Sequence, residues 1–237
     1  AQSLAEDDPT AEPEADGETV WEGDNREYVY PMVVIYLFFI TRSFAGRGIK
    51  TFVPAFVVGV YGYTLEIAGL SFAAESIANF YFSTLLVVGA ATQVLVGSYV
   101  DSADARKVLV VCMSTATVSI LALSLLDLSP LALFAVLLLV GIGIWGLNPA
   151  RDMLISQVTP AEREGRTFGY LWTASHLTGA VIPTFVGYIA DTVGLRQSFA
   201  ILAIGSVLAV AVILLLYSDR VYVAPAQAHS GQQATSD

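Results

Sequence analysis

Arg42, Arg47 and Lys50 lie inside one long apolar run, Val29–Tyr61, together with Gly46, Gly48 and Pro54. A helix over this run rises about 1.5 Å per residue, which puts Arg42 near mid-membrane depth and Arg47 and Lys50 toward one side. At about 100° per residue, all three fall within a sector roughly 140° wide and can face one cavity. A base at the bilayer centre is costly and is normally turned inward and paired. The chemistry this sector suits is a site for an anionic group such as a carboxylate or a phosphate. The competing reading pairs Arg42 structurally and lets Lys50 reach outward along its stem. His176, beside Thr173 and Ser175 in a later apolar run, suits either proton relay and substrate contact or neutral helix packing. Glu75 and Asn79 stand one helical turn apart, so that carboxylate could accept a proton or serve as counter-ion to Arg42. Asn148, Arg151 and Asp152 read as a gate network near the end of a run rather than as a deep site. Glu66 reads as a loop charge, and Cys112, the single cysteine, as a buried small apolar residue.

The elements that must position these side chains are membrane spans. Apolar residues make up 55% of the chain and charged residues 14%, against about a quarter charged in a soluble domain. Stretches long enough to cross a hydrocarbon core of about 30 Å run over Val29–Tyr61, Phe72–Val100, Val108–Leu126, Leu131–Val158, Thr167–Ala190 and Ser198–Tyr217. Between them lie 62–71, 101–107, 127–130, 159–166 and 191–197, all polar or rich in turn formers. The expected fold is all-α, a polytopic membrane protein of six transmembrane helices, and it requires the long first run to be one span. Residues 1–28 hold ten acids and one base. The formal charge of −10 therefore belongs almost entirely to this segment, and says nothing about a cationic partner of the rest. With Pro9, Pro13, Gly17 and few apolar residues, it reads as a disordered tail or linker, and 221–237 as a second disordered tail. The six-helix unit then covers 29–220. A lone cysteine excludes disulfides and Cys-based metal sites.

Loop bases set the orientation. Arg26, Arg106, Lys107, Arg163, Arg166 and Arg220 gather on one side, and only Arg196 stands in the loops of the other. Both termini are expected in the cytoplasm and the protein in the cell membrane. A repeat supports the layout: Gly97, Asp101 and Arg106 recur in spacing as Gly187, Asp191 and Arg196. The copies end the second and fifth spans on opposite sides, so the six helices form two inverted three-helix repeats, an arrangement found in secondary transporters. Gly141, Gly143, Gly146 and other small residues read as packing positions.

These residues resemble the major facilitator superfamily, whose signature between the second and third helices of a half is Gly-x-x-x-Asp-Arg/Lys-x-Gly-x-Arg/Lys-Arg/Lys. Gly97, Asp101, Arg106 and Lys107 match it, while Ser102 and Asp104 depart from it. Such departures suit the carboxyl-terminal half. The stretches 148–169, 179–183 and 187–196 resemble the following loop and helices of such a half. The resemblance implies that Gly97, Asp101, Arg106 and Lys107 belong to a conformational latch, with Arg151 the most available partner for Asp101. Loop bases that only fix topology are the alternative. It also implies a partner for this half, either a missing amino-terminal half or a second copy, since one half cannot enclose a cavity.

A permease moving a small solute, an organic anion or drug-like compound among the candidates, is the leading functional expectation. Uniport, proton symport and antiport stay open. An intramembrane enzyme is disfavoured because the sequence has no metal-spaced His/Glu pair, no Gly-x-Ser-x-Gly and no phosphate-binding glycine loop. A non-transporting scaffold or receptor would leave Arg42 without a purpose. No cofactor, metal or nucleic-acid partner is expected, and the lipid bilayer is the solvent.

Overall fold

The computed structural model describes residues 26–67, 69–159 and 163–217. The expected tails at 1–28 and 221–237 lie outside the described residues, except that the first helix already begins at Arg26. That helix, α1 (Arg26–Phe56), continues through a π turn, Val57–Tyr61, so the first run is a single span. Gly62, at φ +57°, ends it. A short hairpin follows, β1 (Leu65–Ile67) and β2 (Leu70–Phe72), with Leu65 opposite Phe72 and a reversal at Gly69, φ +81°. The polar, turn-rich stretch 62–71 predicts a plain loop here. Alternating apolar residues and a glycine able to adopt positive φ allow the strands to pair instead.

The remaining helices are α2 (Ala74–Val100), α3 (Ala105–Leu125), α4 (Pro130–Gly146), α5 (Asn148–Val158), α6 (Glu164–Thr192) and α7 (Leu195–Leu215). Among the described residues, α1, α2, α3, α7 and the α4–α5 pair are long and apolar enough to cross a membrane. At 29 residues α6 has the length but is more polar, and it packs within the bundle against α1 and α7. The fourth span is broken at Leu147, ahead of Pro149, which has no N–H to continue the ladder.

α4 sits between α2 and α3, and α3 and α1 flank α7. Backbones meet closely along α4. A Cβ on Gly141 would lie 2.5 Å from the Leu85 carbonyl oxygen, and one on Gly143 would lie 2.7 Å from that of Cys112. Small residues at such contacts let helices approach where lipid supplies no hydrophobic drive between them.

The buried apolar side chains form two clusters. One gathers Ile49, Phe56, Leu85, Ile120, Leu137, Ile144, Ile182 and Phe199, and the other Phe38, Phe39, Leu109, Met113, Leu147, Leu171 and Ile213. Each of α1, α3, α6 and α7 contributes to both, and polar residues occupy the layer between.

The repeat is visible in three dimensions. α3 and α7 are both 21 residues long, and α7 starts 90 residues after α3. Each arginine of the repeat reaches the far end of the other copy's last helix. Arg106, just inside α3, donates to the carbonyl of Leu216, which caps α7 (3.2 Å), and lies 5.0 Å from the Tyr217 ring. Arg196, just inside α7, donates to the carbonyl of Leu126, which caps α3 (3.3 Å), and lies 5.9 Å from the Tyr61 ring. The two helices are therefore antiparallel and cap each other, with each cation at the negative end of the opposite helix. Asp127 adds an ion pair to Arg196 at 2.6 Å, and Asp104 binds Arg106 at 2.9 Å.

Asp104 is also the N-cap of α3, accepting from the Arg106 backbone N–H at 2.9 Å. Burial alone would raise its pKa, but hydrogen bonds from Arg106 and the charges of Arg106 and Lys107 hold it below the ordinary carboxylate value.

Two outcomes follow in thermal unfolding of the detergent-solubilised protein. Arg106→Ala and Arg196→Ala each lower stability by about 1 kcal/mol, and the double variant loses the sum because the sites are at opposite ends of the helices. Asp104→Asn keeps the cap but loses the ion pair. A carboxyl with a depressed folded pKa stabilises above its unfolded pKa of about 3.9, and that contribution disappears as pH falls through the folded value. The native protein is therefore more stable than Asp104→Asn at pH 7, and the gap closes on acidification below pH 4.

Candidate functional site

In the polar layer, α1, α4, α5 and α6 enclose a cavity of about 250 Å³ that Arg42, Arg47, Lys50 and Arg151 all line. Its remaining wall includes Phe39, Trp145, Trp172 and Ser175.

Arg42 is placed by the broken fourth span. Its Nη2 donates to the Ile144 carbonyl and to Asn148 Oδ1, both at 2.8 Å. Ile144 is in the last turn of α4, where carbonyls lack partners within the helix and the dipole is negative. The guanidinium thus fills a gap that the break opens. Its Nε is buried without a partner. Asn148 Oδ1 also accepts from Arg151 Nη1 at 3.2 Å, and its Nδ2 donates to Gln93 Oε1 on α2 at 3.2 Å.

Arg151 is buried, with 4% of its surface exposed. Its Nη2 lies 2.7 Å and its Nε 2.8 Å from Asp152 Oδ1. The guanidinium also sits 5.1 Å from the Phe39 ring and 5.8 Å from the Trp172 ring, favourable cation–π positions. This arginine is fully engaged.

Arg47 and Lys50 are not. Arg47 Nη2 makes a long 3.4 Å bond to Ser175 Oγ, which lies 3.5 Å from Ser43 Oγ. Gly179, one turn beyond Ser175 on α6, leaves the space for Arg47: a Cβ there would come within 3.0 Å of its Nε. Lys50 is exposed and has no hydrogen bond or ion pair among the described residues.

The other predicted site residues lie elsewhere. Glu75 and Asn79 are exposed in the first two turns of α2, and Arg42 donates its hydrogen bonds to Ile144 and Asn148 rather than to Glu75. His176 is exposed, with Nδ1 2.7 Å from the Trp172 carbonyl. Its neighbour Ser175, with Trp172, lines the cavity from α6. Asp101 is exposed at the end of α2, Lys107 is exposed on α3, and Arg151 is bonded to Asp152 and Asn148 instead of to Asp101. Gly97 faces Pro149, whose side chain would be 3.9 Å from a Cβ at that position.

The structure also joins groups that the sequence reading kept apart. Asn148, Arg151 and Asp152, read as a gate, share one hydrogen-bonded cluster with Arg42. Gln93, Ser43, Phe39 and Trp145 had not been singled out. Helical spacing carries that signal, since Phe39 and Gly46 flank Arg42 at three and four residues and Trp145 precedes Asn148 by three.

A model of the Major Facilitator Superfamily matches residues 73–236. The chain belongs to that superfamily and is a multi-pass membrane protein. No curated protein matches it by sequence. Its fold is similar to that of a bacterial homologue of the human drug peptide transporters PepT1 and PepT2, with TM-score 0.69 and 14% identity over 84% of this chain and 44% of that one. An auto-inhibited POT family peptide transporter gives TM-score 0.70 and 16% identity over 82% of this chain and 38% of that one. Tetrameric PepTSo2 gives TM-score 0.67 and 14% identity over 87% and 46%. At these identities the likeness is one of fold, and the chain spans less than half the length of each.

Asn148 is the hub of the cluster, so Asn148→Leu should cost about 3 kcal/mol by leaving buried donors unpaired. Asn148→Asp keeps the acceptor and adds a charge between two arginines, and should unfold at or above the native temperature.

Proposed function

We propose that this chain is one half of a secondary transporter that moves a small solute bearing an anionic group by alternating access. The observation that carries the reading is the convergence of Arg42, Arg47, Lys50 and Arg151 on one cavity whose lining residues include no acid. Arg151 is neutralised by Asp152 and Arg42 is held by carbonyl and amide oxygens. Arg47 and Lys50 are the cations with capacity left for a ligand. A carboxylate fits two such donors, and the aromatic rings beside them suit the apolar remainder of an organic anion. Peptides, which the structural neighbours are described as transporting, carry a carboxylate, so they fall within the proposed class.

The protein acts without enzymatic chemistry on this reading. Its second half is another six-helix unit, either in the same polypeptide or as a second copy of this chain. Positive-inside charge places Arg106, Lys107, Arg163 and Arg166 in the cytoplasm, with both ends of the bundle's chain on that side of the cell membrane. Asp101 and Lys107, exposed at the same end, serve as latch contacts to the facing half, while the Arg151–Asp152–Asn148 group sets the junction between α4 and α5. Glu75 and His176 lie outside the cavity lining.

Uptake of labelled succinate, lactate and a dipeptide into vesicles from cells expressing the complete reading frame tests the assignment. Lys50→Gln and Arg47→Gln are expected to raise KM for the transported anion tenfold or more with normal membrane insertion. A change in maximal rate alone, at unchanged KM, would remove these residues from the site.

A further inference from the structure

The cavity has a property that bears on coupling, and it rests on the anion-site reading above. Arg42, Arg47 and Arg151 bring three guanidinium groups to the cavity, and Lys50 an ammonium group. Lys50 is exposed and lines the cavity. Asp152 offsets Arg151 at 2.7 Å. The facing surfaces of α2, α4 and α6 add Gln93, Trp145 and Ser175, all without charge. Three positive charges therefore stand without an acidic partner among the described residues. Among the described residues, no Asp, Glu, His or Tyr lines the cavity, so this half brings to it no carboxylate or imidazole through which a proton could adjust that charge.

We infer that the transporter containing this chain works by obligatory anion exchange. Alternating access requires a state in which the cavity is closed to water on both sides. In that state an empty cavity leaves three uncompensated cations in a low-dielectric layer, and buried unpaired charge is strongly unfavourable. A bound anion supplies the missing countercharge. The loaded carrier crosses and the empty one does not, so each inward passage of an anion requires an outward passage of another. A carboxylate reaching in from the facing half is the alternative countercharge, and it would free the empty carrier to return.

Vesicles from cells expressing the complete reading frame, either empty or preloaded with unlabelled anion, separate the two. The probes are labelled succinate, lactate and inorganic phosphate, each with and without an inward proton gradient. Exchange predicts uptake at least tenfold faster into preloaded vesicles and no acceleration by the gradient. Equal uptake into empty vesicles, or uptake driven by the proton gradient, overturns exchange and leaves the anion site standing. Absence of uptake for every probe under both conditions overturns the anion site as well. The variants Arg47→Gln and Lys50→Gln locate the cause. Each removes one uncompensated charge, so the ratio of exchange to net uptake should fall several-fold even as the overall rate drops. An unchanged ratio would overturn the cavity charge as the origin of exchange.

Discussion

A guanidinium at the middle of a membrane helix must have oxygen partners, and the architecture around Arg42 meets that demand. Carbonyls inside a continuous helix are already bonded along its ladder, so those at a helix end are the readier acceptors. The break at Leu147 frees the carbonyl of Ile144 and places Asn148 one turn further on, and Arg42 donates to both. Arg42 supplies a donor to the interrupted end of α4, and the Asn148 side chain supplies it a second acceptor. Ordered side-chain contacts then extend from Asn148 to Gln93 on α2 and to Arg151 on α5, so one polar layer ties three elements to α1.

That layer sits between two apolar clusters that occupy opposite ends of the same helices. The clusters give the bundle its cohesion on either side, and the layer leaves a cavity where apolar packing stops. The antiparallel α3–α7 pair forms the frame. Arg106 and Arg196 close it at both ends by the same device in opposite senses, which holds the flanking helices in register while the site lies nearer α1, α5 and α6. An inverted repeat thus serves two purposes at once: it builds a rigid pair and leaves a polar layer at mid-depth.

Much of this was legible in the sequence because hydropathy, loop charge and the Gly–Asp–Arg spacing each follow from the bilayer as solvent. The single first span, the six-helix class and the placement of Arg42, Arg47 and Lys50 on one cavity came from those rules. The partner choices did not. Glu75 reads in the sequence as a proton acceptor or a counter-ion to Arg42, yet it is at the hairpin end of α2, roughly five turns from Gln93, the residue of α2 that joins the layer. His176 stood out by chemistry while Ser175 beside it faces the cavity, and one residue of helical rotation, about 100°, decides between them. The repeat is legible in the sequence, but there Arg106 reads as part of a latch with Asp101 and Arg196 as a loop base. Their contacts with Leu216 and Leu126 join residues more than 65 positions apart, and no local pattern carries that pairing.

The same distinction orders the cations within the site. Depth alone favours Arg42 as the functional base, since the deepest charge is the most expensive to keep. Partner geometry reverses the order. Arg42 and Arg151 have their hydrogen-bonding capacity largely committed to Ile144, Asn148 and Asp152, so they hold the layer together and contribute field. Arg47 has one long bond, in the space left by Gly179, and Lys50 has none among the described residues. Those two can exchange partners without dismantling the α4–α5 junction. A site that binds and releases needs fixed charges to set its potential and loosely held ones to meet the ligand, and the four bases of this cavity divide in that way.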